Sequence, residues 1–128
     1  MFSLRRATFA LAAALTLSTI PACRSANPYA VGSQQDPVSL IVRNDNFSDM
    51  DLYAVADGLP TRIGTVTGNS TQRFELSESM YRASDLRIIG TPIGGNGRAS
   101  SGPIQVGSGQ TIYFSIAPVL RQSSVSIR

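Results

Sequence analysis

The chain has 128 residues, room for one small domain, and its 42% hydrophobic and 15% charged content is that of a globular protein rather than a disordered one. It contains no His and no Lys, which removes the commonest general base, the commonest metal ligand and lysine-based covalent chemistry. With a single Cys it has no intrachain disulfide and no cysteine-based zinc site.

In chain order, the first segment reads as a signal peptide over residues 1–22. Arg5 and Arg6 form a positive start, and Ala7 to Ile20 is an uncharged, mostly apolar run of fourteen residues, too short to span a bilayer comfortably. An ordinary leader ends with small residues at −3 and −1. Cleavage after Ala22 would put Ile20 at −3, and cleavage after Ala26 would put Arg24 there. Ile20-Pro21-Ala22-Cys23 instead resembles the lipobox of bacterial lipoproteins: a branched aliphatic residue at −3, a small one at −1 and Cys at +1. Pro21 departs from the usual small or hydroxyl residue at −2. The resemblance covers the first twenty-three residues. It implies that the Cys23 thiol carries a diacylglycerol, that the leader is cut before it, and that the new amine is often acylated too. Two or three acyl chains give stable anchoring where one is marginal. Arg24 is not the Asp that retains such proteins at the inner membrane, so the resemblance implies outer-membrane placement in an organism with two membranes.

Removing the leader takes two of the eleven Arg with it. Nine then stand against eight acids, a formal +1, so the high isoelectric point does not mark a nucleic-acid binder. The expected partners are a membrane, through the acylated N-terminus, and an unknown protein or envelope glycan. Residues 23–37, with Ser, Asn, Gln, Gly and two Pro and no apolar period, read as a lipid-anchored tether. Extended, it would reach about 40 Å.

From Val38 onward the pattern is short alternation between turn residues. Val38, Leu40 and Val42 form one face, as do Leu52, Ala54 and Ala56, then Ile112, Phe114 and Ile116, then Val125 and Ile127. Leu86–Ile89 and Pro103–Val106 are two further short apolar runs, and Leu76–Tyr81 fits one helical turn at a sheet crossover. Period-two alternation at this spacing predicts an all-β domain over residues 38–128: an antiparallel β-sandwich of about seven or eight strands, immunoglobulin-like. The run Val106-Gly107-Ser108-Gly109-Gln110 before an alternating strand is similar to the late turn of immunoglobulin-like and transthyretin-like domains. The expected core is Val42, Leu52, Ile63, Phe74, Leu76, Leu86, Ile88, Ile112, Phe114 and Ile116.

One hairpin follows from a turn. Gly68-Asn69, with Gly first, predicts a type II′ loop needing positive φ at Gly68. That register sets Ile63 opposite Phe74 and Thr61 opposite Leu76 on the buried face. On the other face it pairs Val66 with Thr71 and Arg62 with Glu75.

Four sets of residues carry candidate chemistry. Asn44 to Asp51 concentrates oxygen atoms, but the spacing does not fit a calcium loop: Asp49 stands where an EF-hand needs Gly and Val55 where it needs Glu. The preferred reading is a loop whose Asx side chains cap their own backbone. Gly90 to Pro103 is Gly-rich but leads into no helix, so it reads as a hairpin loop, with ligand contact as the alternative. Arg43, Arg62, Arg73, Arg87 and Arg121 lie in or beside strands, either as a solvent face or as a basic face for phosphates or an acidic glycan. Asp57, Glu75, Glu78 and Asp85 sit beside turns, as solvated acids do. No catalytic residue, metal ligand or cofactor-binding residue is assigned. Cys23, as a lipidation site, is the one functional residue. The expected function is a non-enzymatic, lipid-anchored cell-envelope domain with a structural, adhesive or accessory role. The alternative is a module binding a glycan, lipopolysaccharide or small ligand.

Overall fold

The structure, a computed structural model, describes residues 35–128. The signal peptide, Cys23 and all but the last three residues of the expected tether lie outside the described residues.

Eight strands form the domain: β1 (Val38–Asn44), β2 (Met50–Ala56), β3 (Leu59–Val66), β4 (Ser70–Leu76), β5 (Leu86–Pro92), β6 (Ala99–Ser100), β7 (Thr111–Ile116) and β8 (Ser124–Ile127). They make two four-stranded sheets, ordered β4-β1-β7-β8 and β3-β2-β5-β6. This is the all-β sandwich that the alternation predicts. One ladder departs from the antiparallel rule: β1 and β7 run parallel, with Leu40 beside Ile112 and Val42 beside Phe114. A short helix, α1 (Glu78–Tyr81), carries the chain from β4 in one sheet to β5 in the other, as expected of that segment.

The alternating residues face each other between the sheets. Val38, Leu40, Val42, Leu52, Ala54, Ile112, Phe114 and Ile116 are all buried, and Val125 and Ile127 pack half-buried against them. Of the expected core, Ile63 and Phe74 are half-buried and the other eight are buried. Met50, Val66, Tyr81, Ala99 and Ile104 complete it. At two places a side chain of one sheet fills a position where the other has none. Gly64 of β3 and Gly90 of β5 flank Leu52 on neighbouring strands. A Cβ on Gly64 would lie 2.7 Å from the Phe74 ring, and one on Gly90 3.1 Å from Cδ1 of Ile116. The two glycines are thus sockets for side chains of the opposite sheet.

The expected β3–β4 hairpin is not formed. β3 pairs with β2, and β4 pairs with β1 in the other sheet, so residues 67–69 form an arch between sheets. Phe74 lies beside Leu40, Thr61 beside Ala54, Leu76 beside Val38, and Glu75 beside Ser39; none meets the partner expected of it. A two-residue link cannot itself specify whether its strands pair or part. Here the arch is tied to the neighbouring loop: Asn69 N–H donates to the Asn46 carbonyl at 2.9 Å and Gly68 N–H to Asp49 Oδ1 at 2.9 Å. The positive φ falls on Asn69, at 53°, rather than on Gly68. Gly68 is required for space, since a Cβ there would run into the Phe47 carbonyl. Val66, expected on the outer face, is buried. The register of β3 against β2 shifts between Leu52 and Tyr53, making Ile63 the additional residue of a bulge and changing which β3 residues face inward.

The tight hairpin is instead β2–β3, turned by Asp57-Gly58 with φ of 48° and 83°. Positive φ at both positions is the type I′ pattern, for which Asp-Gly is a preferred dipeptide.

The ends of the sandwich differ. Gln35–Pro37 enter at one pole, where the Asp36 carbonyl accepts from Gly109 N–H and the Ser108 hydroxyl, both at 2.9 Å. The loops after β1, β5 and β7 gather at the opposite pole, where Phe47, Ile93 and Val119 stand exposed.

Candidate functional site

The Asn44–Asp51 loop is built on amide side chains. Asn44, fully buried at the end of β1, donates through Nδ2 to the carbonyls of Ser48 (2.8 Å) and Thr67 (3.2 Å), and its Oδ1 accepts from Asn46 N–H at 3.0 Å. Asn46 repeats the motif: Oδ1 accepts from Ser48 N–H at 2.9 Å, and Nδ2 donates to the Pro118 carbonyl at 3.0 Å. These are Asx turns, as the preferred reading had it. Each of the two amide oxygens accepts from a backbone N–H of its own loop.

The arginines do not share one face. Arg43 and Arg73 lie on the outer face of β4-β1-β7-β8, where Arg43 pairs with Asp45 at 2.9 Å and Arg73 donates to the Ser39 hydroxyl at 2.6 Å. On the same sheet, the Arg128 guanidinium lies 5.4 Å from the centre of the Tyr113 ring. Arg62 and Arg87 lie on the outer face of the other sheet, paired with Asp51 (2.8 Å) and Asp85 (3.1 Å). Arg121 sits in the 3₁₀ turn Leu120–Gln122.

The acids serve local structure. Glu78 pairs with Arg82 one helical turn on, at 2.8 Å. Asp57 accepts from the Ser84 hydroxyl at 2.8 Å and from Asp85 N–H at 3.1 Å. The Ser84 hydroxyl, and then these backbone donors, hold the Asp57 carboxyl below its ordinary range. Asp51 behaves alike. Its carboxylate accepts the Thr65 hydroxyl at 2.6 Å and Arg62 Nη2 at 2.8 Å, and these bonds, the Thr65 one first, lower its pKa against an opposing effect of burial. A carboxyl lowered in the folded state stabilises the protein above its unfolded pKa, and that contribution is lost as pH falls through the lowered one. Asp51→Asn should therefore melt at a lower temperature than the parent near neutrality. The two melting curves should converge on acidification through the carboxylate range. Melting temperatures followed from neutral to acid pH would check this.

Three of the recesses on the described surface bear on function. One lies by the chain entry, among Gln35, Tyr81, Ser84 and Val106. A second lies among the apolar-tipped loops, between Phe47, Pro92, Asn96, Pro118 and Leu120. The third, with a volume of about 390 Å³, opens on the outer face of β3-β2-β5-β6. Val55 of β2 and Ile89 of β5 give it apolar walls. Arg87 and Asp85 flank one side, and Arg98 and Ser100, from the Gly90–Pro103 segment, the other. That segment is a hairpin loop, returning through β6, which places Ser100 beside Ile89. The recess joins Arg87, for which a basic face was the alternative to a solvent face, to the segment for which ligand contact was the alternative. Its apolar residues, and Arg98 as a recess cation, carry no periodic or motif signal. Only the pairing of β2 with β5 and of β5 with β6 brings them together.

No protein-family model matches the chain, and no curated protein matches it in sequence. An NMR structure of a protein from Eubacterium rectale is similar to it at a TM-score of 0.47 and 11% identity, over 72% of this chain and 88% of that one.

Proposed function

We propose that the chain is a lipid-anchored cell-envelope protein whose β-sandwich is a non-enzymatic interaction domain, structural, adhesive or accessory to an envelope assembly. The observation that carries this reading is Cys23, the sole Cys of the chain, placed directly after Ile20-Pro21-Ala22 at the end of an apolar leader. The position of the domain's entry also supports it. Gln35 follows Cys23 by twelve residues and joins the domain at the pole opposite Phe47, Ile93 and Val119. A domain held from its entry pole offers those loop tips to a partner. Placement at the outer membrane follows from Arg24, under the sorting rule for lipoproteins of organisms with two membranes.

Mass analysis of the intact protein extracted from membranes tests the reading. The expected product begins at Cys23 and carries added acyl mass. Cys23→Ser should lose both the acyl mass and the membrane fraction, because one thiol bears the diacylglycerol. A soluble product with a free thiol at Cys23 would overturn the proposal.

A further inference from the structure

We infer that the recess on the outer face of β3-β2-β5-β6 binds a small ligand through an oxyanion, a carboxylate or a phosphate, held between Arg98 and Arg87. All eight carboxylate side chains of the protein lie among the described residues, and four of them pair with Arg43, Arg62, Arg82 and Arg87. None comes within 4 Å of Arg98, and its guanidinium makes no hydrogen bond to another described residue. Arg98 nonetheless lines a recess of about 390 Å³, a size within the range of small-molecule sites.

Arg87 faces it with its orientation already set. Asp85 takes Nε at 3.2 Å and Nη2 at 3.1 Å, a two-point contact that fixes the guanidinium plane and leaves Nη1 for another acceptor. Asp85 offsets one of the two positive charges, so the net attraction rests on Arg98. Ser100 contributes a third group. Its Oγ accepts from Gly102 N–H at 3.2 Å, which leaves the hydroxyl hydrogen to donate. Two guanidinium groups and a hydroxyl over Val55 and Ile89 match an oxyanion carried on a compact body.

Three probes sharing one sugar body test the inference on the full mature chain, in detergent where it is acylated: glucuronate, glucose 1-phosphate and glucose. Titration at low ionic strength, followed through backbone amide NMR, should shift the signals of Ile89, Arg98 and Ser100 with glucuronate, glucose 1-phosphate or both, and not with glucose. Which acid binds identifies the oxyanion as carboxylate or phosphate. Arg98→Gln should weaken binding by about tenfold or more, and Arg43→Gln, on the outer face of the other sheet, by no more than about twofold. Arg98 is exposed, and retained signal dispersion in Arg98→Gln would show that the fold is kept. Absence of shifts with both acids would overturn the inference, as would equal shifts with glucose or equal weakening by the two variants. The titration does not involve Cys23, so its outcome is separate from that of the anchoring.

Discussion

Phe114→Ala should lower the stability of the domain by about 3–5 kcal/mol. Phe114 is 1% exposed, near the middle of β7, between Val42 of β1 and Val125 of β8. Truncation removes the ring's burial and leaves a void between two sheets that cannot close readily, because β7 is held on both edges. Folded domains of this size have about 5–15 kcal/mol in all, so the variant should stand near the limit of folding. Two other phenylalanines make the comparison. Phe74, half-buried on the edge strand β4 and seated over Gly64, should cost about 2 kcal/mol as alanine, a smaller loss than a fully buried ring. Phe47, 86% exposed, should cost within about 0.5 kcal/mol. Urea unfolding of the three variants would check the order. Equal losses for Phe114 and Phe74 would mean that the β3–β4 region is buried as a paired hairpin after all.

That comparison turns on what the residue pattern can and cannot specify. The faces of β1, β2 and β7 were legible because each strand has one clean inward set, and a sandwich interior accepts no other alternation. α1 was legible because a short polar-flanked run cannot continue a strand. The partners of β3 and β4 were not. Gly68-Asn69 is compatible with a hairpin, and nothing local to it shows that Asn46 and Asp49 will hold its backbone from another loop. The bulge at Ile63 then shifts which β3 residues face inward, an effect that alternation alone does not anticipate. A better hairpin signal did exist in Asp57-Gly58, flanked by Leu52 and Ala54 on one side and by β3 on the other.

The candidate site divides in the same way. The Asx turns at Asn44 and Asn46 were readable because their hydrogen bonds are local in sequence. The Arg87–Arg98 recess was not, since its walls come from β2, β5 and β6 and meet only through sheet pairing. Arg87 read as one more solvent-side strand residue, and Arg98 as the end of a Gly-rich run. What distinguishes Arg98 is that it has no carboxylate beside it and yet lines a recess with a second arginine, a property of the folded surface rather than of the chain.

Asn44→Ala should cost about 3 kcal/mol, a loss of core magnitude from a polar residue in a loop-forming position. Asn44 is 0% exposed, and its amide serves three separate backbone groups: the carbonyls of Ser48 and Thr67 and the N–H of Asn46. Removing it takes a hydrogen bond from each, although the Thr67 carbonyl keeps the Ser70 hydroxyl at 2.6 Å, and each lost hydrogen bond contributes about 1 kcal/mol. The residue also joins two arches, since Ser48 belongs to the β1–β2 connection and Thr67 to the β3–β4 connection. Asn44→Asp, nearly the same shape, separates packing from donation. The carboxylate can still accept from Asn46 N–H, but it turns a second oxygen toward two carbonyl oxygens in a buried place. It should therefore be at least as destabilising as the alanine variant near neutral pH and should recover part of the loss on acidification, when the protonated acid donates again. Unfolding free energies of the two variants at neutral and acid pH would decide it. An Asn44→Asp variant as stable as the parent at neutral pH would mean that Nδ2 is not the donor holding the arches together.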